Sequence, residues 1–395
     1  MSSQIDACLR INRTTSAHVT AKTPGVPRDA PPGNVKRPGE KPRIAPLDAP
    51  STRRTAVDGA KARERYTVPM STHAEQHEQD PIEREDFFEI ERPDDGFARA
   101  RLFAFNTFVT LDVYGGKAVC RDALSAARDA CRTYERLFSR TLPHSDIARV
   151  NDAHGKATEV DPRTFDLLER ALHYCSESEG VFDVTIGPLV RLWDFKRGVV
   201  ADENALAEAA PHVDWRCVEL FREGGSCFVR MRDPLAALDA GGIAKGWIAD
   251  ELSDLLADCG LGGSIVNLGG NVMVRGKKPT GEAWRVGIRD PKNPGSLLGA
   301  VSLREGSAVT SGTYERSFRK DGALYHHVLD PRTGMPVDTD VAGVTVVARR
   351  SIDAEGFSTT LLALGMKRGP AFAREHDEII QAFFVDADGA ITCAR

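Results

Sequence analysis

Residues Ala237–Gly260 read ALDAGGIAKGWIADELSDLLADCG, and Ser264–Gly276 follow as SIVNLGGNVMVRG. The first stretch is a strand end, a glycine turn and a helix that closes at Gly260; the second is strand, glycine turn, strand. One helix followed by two adjoining strands breaks the regular βα alternation of a doubly wound sheet. The flanks keep this irregular order. Upstream, Arg101–Gly115 alternates apolar and polar residues and predicts a strand, with folded structure beginning near Phe97. Lys117–Phe138 carries apolar residues at helical spacing, Pro162–Glu179 predicts a helix ending at Gly180, and Glu203–Ala209 a short one. Cys217–Met231 has strand-like pieces broken by Gly224 and Gly225. Downstream, Trp284–Pro291, Ala300–Gly312 and Val341–Arg350 predict strands, and Asp353–Leu364 a helix. The whole order predicts an α+β fold of mixed sheets with flanking helices.

The 395 residues allow one large domain, or two smaller ones, plus a tail. A formal charge of -5 gives no electrostatic case for nucleic-acid or bulk membrane binding. No apolar run approaches the length that spans a bilayer. The cysteines (Cys8, Cys120, Cys131, Cys175, Cys217, Cys227, Cys259 and Cys393) form no C-x-x-C pair and sit at no zinc-like spacing from histidines. They read as scattered thiols suited to a reducing compartment. The N-terminus lacks the apolar core of a signal peptide and any lipobox-like cysteine, so a cytoplasmic chain is expected. Residues 1–96 read as a disordered, proline-rich and charged tail, and 97–395 as the folded domain. Thr23–Pro50 is proline-dense and Glu75–Asp95 is acidic. Met70 lies at the seam between the basic and acidic parts, where a biological start is expected.

Three polar groups interrupt apolar elements. In Asp239–Gly246, DAGGIAKG, glycines between a strand and a helix let backbone N–H groups approach an anion, and Lys245 could sit beside it. The spacing is neither a Walker A loop nor a dinucleotide fingerprint. Read alone, a plain tight turn accounts for it equally well. In Tyr325–Gly334, YHHVLDPRTG, a histidine ahead of a D-P-x-T-G turn suits a general base, or a satisfied histidine at a strand end. In Glu355–Thr359, EGFST, positions four apart share a helix face and offer hard oxygen ligands to magnesium, or a solvated cluster.

Taken together, these segments resemble the ApbE family of flavin transferases in order and approximate spacing, over roughly Leu102 to Leu364. The resemblance is carried by FNTFVTLDVYG, FSRTLPHSDIARVN, GVFDVTIGPLVRLWDF, DAGGIAKG, IVNLGGNV, WRVGIRDP, VTSGTYER, HHVLDPRTG and STTLLALG. It implies two lobes with an FAD site between them and Mg²⁺ held at the FAD pyrophosphate. The implied reaction moves FMN from FAD to a threonine hydroxyl of a partner flavoprotein and releases AMP. By this resemblance Asp239 and Lys245 contact FAD, as do Val181, Phe182, Asp183 and Leu329. Gly242, through its carbonyl, and Thr359 bind the metal, with Glu355 where the family usually has aspartate and Ser358 as an added ligand. His327 matches the histidine proposed as catalytic base, and Asp330 either orients it or caps its turn. Phe105 replaces a methionine that packs on the flavin, and Thr141 replaces an aromatic residue. Two other outcomes fit the same site: an FAD pyrophosphatase, with water as nucleophile, and a non-catalytic FAD-binding protein. Family members are commonly exported lipoproteins, which sets the resemblance against the cytoplasmic expectation.

Overall fold

In the computed structural model, which describes residues 8–11, 87–94, 96–293 and 295–395, the Arg101–Gly115 stretch is not one strand. The chain reverses at Phe105 and Asn106, both with positive φ (55° and 56°), between β3 (Phe97–Ala104) and β4 (Thr107–Tyr114). Two such residues make the tight turn whose twist suits a hairpin. Asparagine tolerates that backbone but phenylalanine does not favour it, so composition conceals the turn. Folded structure also starts before Phe97. Strand β2 (Phe88–Asp94) pairs antiparallel with β3, and β1 (Cys8–Ile11) pairs with a later strand, both inside the range expected as tail. The proline-dense stretch and the start expected at Met70 lie outside the described residues.

Helix α1 (Lys117–Phe138) matches its sequence pattern. Next come α2 (Asp146–Asp152), β5 (Thr158–Val160), α3 (Pro162–Glu177), α4 (Gly187–Val190) and α5 (Glu203–Ala209). The turn at Gly224 and Gly225 joins β6 (Val218–Glu223) to β7 (Ser226–Met231), and β5 completes this small antiparallel sheet. The opening motif gives α6 (Ala244–Asp258), β8 (Gly263–Leu268) and β9 (Asn271–Gly276). Then follow β10 (Trp284–Arg289), β11 (Leu297–Leu303), β12 (Gly306–Gly312), β13 (Ser317–Lys320) and β14 (Ala323–His326). The chain closes with β15 (Val341–Ala348), α7 (Ser351–Glu375), β16 (Ile379–Asp386) and β17 (Ile391–Ala394).

The main sheet is antiparallel, nine-stranded, in the order β17-β16-β15-β12-β9-β8-β4-β3-β2. Its inner face carries α1, α6 and α7. Strand β3 presents Ala98, Ala100, Leu102 and Ala104 there, all buried, and small residues admit helix α1 closely. On the outer face, Val274, Ala308, Val347 and Phe383 pack against Trp284, Ile288, Val301 and Leu303 of β10 and β11. With both faces covered, strands such as β15 are buried almost throughout. No helix among the described residues is long and apolar enough to cross a membrane.

Helices α6 and α7 cross at Gly246. A Cβ there would lie 2.8 Å from Glu355 Cβ, Ile352 Cα and the Ser351 carbonyl oxygen. Alanine is the better helix former by ~1 kcal/mol, yet overpacking backbone against backbone costs about 1–3 kcal/mol. Gly246→Ala is therefore expected to lower the urea midpoint. An unchanged or raised midpoint would show that this crossing has slack.

Candidate active site

The glycine turn is built by Asp239. Its Oδ1 accepts the Gly241 N–H at 2.8 Å, and its Oδ2 meets Arg140 Nε at 2.9 Å. Side chains cannot be added here freely. A Cβ on Gly241 would sit 2.9 Å from Asp239 Oδ1, and one on Gly242 3.1 Å from the Phe182 ring. The turn feeds α6, whose first residues carry Lys245. The close crossing at Gly246 brings Lys245 Nζ onto a carboxylate oxygen of Glu355 in α7. Nζ also lies 3.4 Å from the Gly241 carbonyl oxygen.

Glu355 is 4 % exposed. A buried carboxylate demands partners, and it has two: Lys245 on one oxygen and Asn271 Nδ2 on the other. Asn271 is fixed in turn, because its Oδ1 accepts from Ser351 Oγ at 2.7 Å and Ser351 accepts from Ser307 Oγ at 3.0 Å. The start of α7 is held by Asp250, which accepts the Ser351 and Ile352 N–H groups at 2.7 and 3.1 Å. Burial lifts that carboxyl to about 6. One turn past Glu355, Ser358 donates to the Glu355 carbonyl at 3.1 Å and shares a 2.8 Å hydrogen bond with Ser311. Thr359 is half-buried on the same helix. Among the described residues no group of three or more His, Cys, Asp or Glu forms a ready metal cage. The oxygen donors gathered here are one carboxylate, hydroxyls and backbone carbonyls.

His327 follows the β13–β14 hairpin, and its N–H donates to the Arg316 carbonyl at 3.1 Å. Its Nδ1 is buried with no hydrogen-bond partner among the described residues. Burial first, then the charges of Arg316, His326 and Lys245, lower its pKa to about 3. The ring is thus neutral at physiological pH and within the field of Lys245. Asp330 does not orient it. Its carboxylate takes the Arg332 N–H at 2.9 Å and the Arg332 guanidinium at 3.0 and 2.7 Å, so it caps the D-P-x-T-G turn.

The other expected FAD contacts are more dispersed. Phe182 is buried beside Gly242, and Val181 is half-buried. The Asp183 carboxylate is committed to its own loop. Oδ1 accepts from Thr185 N and Oγ1 at 2.8 and 2.6 Å, and Oδ2 from Trp215 N at 3.1 Å. Leu329 packs into a small core with Leu189, Trp193 and Leu206. Thr141 is exposed and, with Arg140, Asn151 and Arg191, lines a cavity of about 290 Å³. Phe105 holds its left-handed backbone through an N–H bond to Glu135 Oε1 at 2.9 Å. Sequence reasoning assigned no role to Asn271, Asp250 or Gly246. Asn271 was visible within NLGGN as a polar residue where β9 turns inward, but its partner is in α7.

Residues 105–384 match the model of the ApbE family. The chain belongs to the ApbE family. It is 36% identical over 310 residues to the FAD:protein FMN transferase of Treponema pallidum (strain Nichols), covering 74% of this chain and 85% of the relative. With an FAD:protein FMN transferase of Klebsiella pneumoniae (strain 342) it shares 34% over 256 residues, 64% of this chain and 79% of the relative. The crystal structure of the ApbE protein from Thermotoga maritima superposes with a TM-score of 0.69 at 27% identity, covering 76% of this chain and 97% of that one. The flavin transferase ApbE from Vibrio cholerae has the same fold, with a TM-score of 0.65 at 24% identity, over 77% of this chain and 97% of that one.

The suppressed basicity of the histidine in this ApbE chain has a stability consequence. An unfolded histidine titrates near ~6.5, so below that pH the unfolded chain takes a proton that the folded chain refuses down to about 3. The contribution is complete above pH ~6.5 and is lost as pH falls, at ~1.4 kcal/mol per unit. His327→Gln cannot titrate. From about pH 5.5 to 4.5 the stability of the unaltered protein relative to this variant, read by urea unfolding, is expected to fall by about 1.4 kcal/mol. A constant difference would place the ring in water.

Proposed function

We propose that this ApbE-family chain is an FAD:protein FMN transferase, which moves the FMN half of FAD onto a threonine hydroxyl of an acceptor flavoprotein and releases AMP. The observation that carries this reading is the convergence of Lys245 and Asn271 on one buried carboxylate, Glu355, with the neutral His327 in the field of Lys245. Asp239 and the glycine turn supply the anion-approachable backbone at the start of α6.

A magnesium ion suits the residues present. Glu355, Ser358, Thr359 and the Gly242 carbonyl are hard oxygen donors, and Glu355 already holds a cation, the Lys245 ammonium. One carboxylate together with substrate phosphates is a usual magnesium arrangement. When bound, the ion would offset charge on the pyrophosphate. The chain's own groups supply positioning and proton transfer, which dominate phosphoryl chemistry. Lys245, drawn to the pyrophosphate, adds positive charge beside it. His327 accepts the threonine proton as the threonine oxygen bonds to the FMN phosphorus. The bond from that phosphorus to the bridging oxygen breaks, AMP leaves with that oxygen, and the proton on His327 passes to solvent.

The test mixes the protein with FAD, Mg²⁺ and a threonine-bearing candidate acceptor. The expected result is an acceptor heavier by one FMN, with equimolar AMP. AMP with free FMN and an unmodified acceptor would replace transfer by hydrolysis, with water as nucleophile. FAD binding without AMP would leave a non-catalytic binder.

A further inference from the structure

A cavity of about 440 Å³ lies on the outer face of the main sheet, where the β10–β11 layer stops short of β3 and β4. Its walls include Arg101, Asn267, Gly270, Arg285, Arg289 and Glu315. The size falls within the range of ligand pockets. Three observations point to what this groove binds.

First, its charge is available. Arg99, also on the wall, is spent in a bidentate pair with Asp112 at 2.6 and 2.7 Å. Arg285 and Arg289 are exposed and form no ion pair among the described residues, and only Arg289 acts on an acid of the same wall, Glu315. Second, β10 is the outer strand of its sheet, in the order β1-β11-β10, so its far edge pairs with no other strand among the described residues. An open strand edge is a template for an extended chain. Exposed Leu297, at 50 %, adds an apolar contact on the same wall. Third, the groove borders the reaction centre through Glu315, which lines it and feels the charges of Lys245 and Glu355. Gly270 and Asn267 line it, while Asn271, next along the chain, turns inward to Glu355. The Arg316 carbonyl, adjoining Glu315, holds the His327 N–H.

We infer that this groove docks the acceptor polypeptide as an extended, acid-bearing segment along the β10 edge, with its carboxylates on Arg285 and Arg289 and its threonine delivered past Gly270. The inference rests on the transferase reading, because a hydrolase needs no polypeptide. Exposed pairs of this kind act more on recognition than on chemistry, and salt should weaken them.

The probes are two fluorescein-labelled twelve-residue peptides with a single threonine, one carrying three aspartates and its twin three asparagines in their place. Binding to the full chain with FAD and Mg²⁺ is read by anisotropy, and FMN transfer by peptide mass. The aspartate peptide is expected to bind at least about tenfold tighter than its twin, with the preference fading as salt rises. The double variant Arg285→Glu/Arg289→Glu, and the milder Arg285→Gln/Arg289→Gln, should remove the preference while FAD affinity, read by flavin fluorescence, stays unchanged. Equal binding of the two peptides, or a preference retained in the double variants, would overturn the groove. So would displacement of the aspartate peptide by a twelve-residue oligothymidylate at equal concentration, which would mark a general polyanion surface. Arginine-dependent binding with AMP release but no mass gain on either peptide would support the groove and count against transfer.

Discussion

The Glu355→Gln protein is expected to release AMP from FAD more slowly by on the order of 10³-fold or more, the effect of losing several kcal/mol of charge stabilisation at a phosphoryl centre. The substitution keeps the shape of the side chain and removes its charge. Lys245 then loses its anchor, although its part-exposed ammonium can turn to water, so the fold should survive. Breaking a buried pair usually costs ~3–5 kcal/mol, and exposure of the lysine end should keep the loss below that. Thermal melting beside the rate measurement separates the two effects. Glu355→Asp retains the carboxylate one methylene farther back and should recover much of the rate. If Glu355→Gln turned over at the unaltered rate in the presence of a chelator, the metal reading of this helix face would be lost.

His327→Ala is the second large effect. Removing a general base lowers rate by about 10²–10⁴, and here the loss should fall on turnover while FAD affinity holds. Burial and the nearby positive charges hold its pKa at about 3, so the ring is neutral at pH 7 but a weak base, and the role requires the negative pyrophosphate of bound FAD to raise its basicity. Single-turnover transfer, with FAD binding read by flavin fluorescence, checks the prediction. A full rate in the alanine variant would remove His327 from the reaction and leave it a role in the packing beside Arg316.

Much of the fold is legible wherever a local rule is sufficient. The glycine turn ahead of α6, the α1 periodicity and the Gly224–Gly225 reversal are short-range signals, and each falls where the sequence predicts. Reversal at Phe105 is hidden because an aromatic in an alternating run argues for strand. Strands β16 and β17 lie outside the elements that the sequence predicts, although Ile379–Asp386 is rich in apolar and aromatic residues. The helix expected to end at Leu364 continues to Glu375 across a kink, because Gly365 takes a positive φ that the pattern does not encode. At the site, the sequence marks which residue types carry chemistry but not which of them meet. Lys245 and Glu355 are 110 residues apart, and Asn271 and Glu355 are 84 apart. Such pairs are created by the α6–α7 crossing and by β9 running beneath α7, which no local window contains. Asp330 shows the reverse case: a carboxylate near the histidine in sequence whose charge is taken by Arg332.

The hairpin tip at Phe105 gives the molecule a trade-off. A left-handed backbone under a bulky side chain costs roughly 1–2 kcal/mol, and Gly or Asn would occupy the tip with less strain. A chain of its own carries the load: Glu135 grips the Phe105 N–H, and Arg132 grips Glu135 at 3.0 Å and the Phe103 carbonyl at 2.9 Å. The Phe105 ring packs against the main core, so this corner trades an easy backbone for an aromatic contact, and the brace from α1 holds that exchange in place.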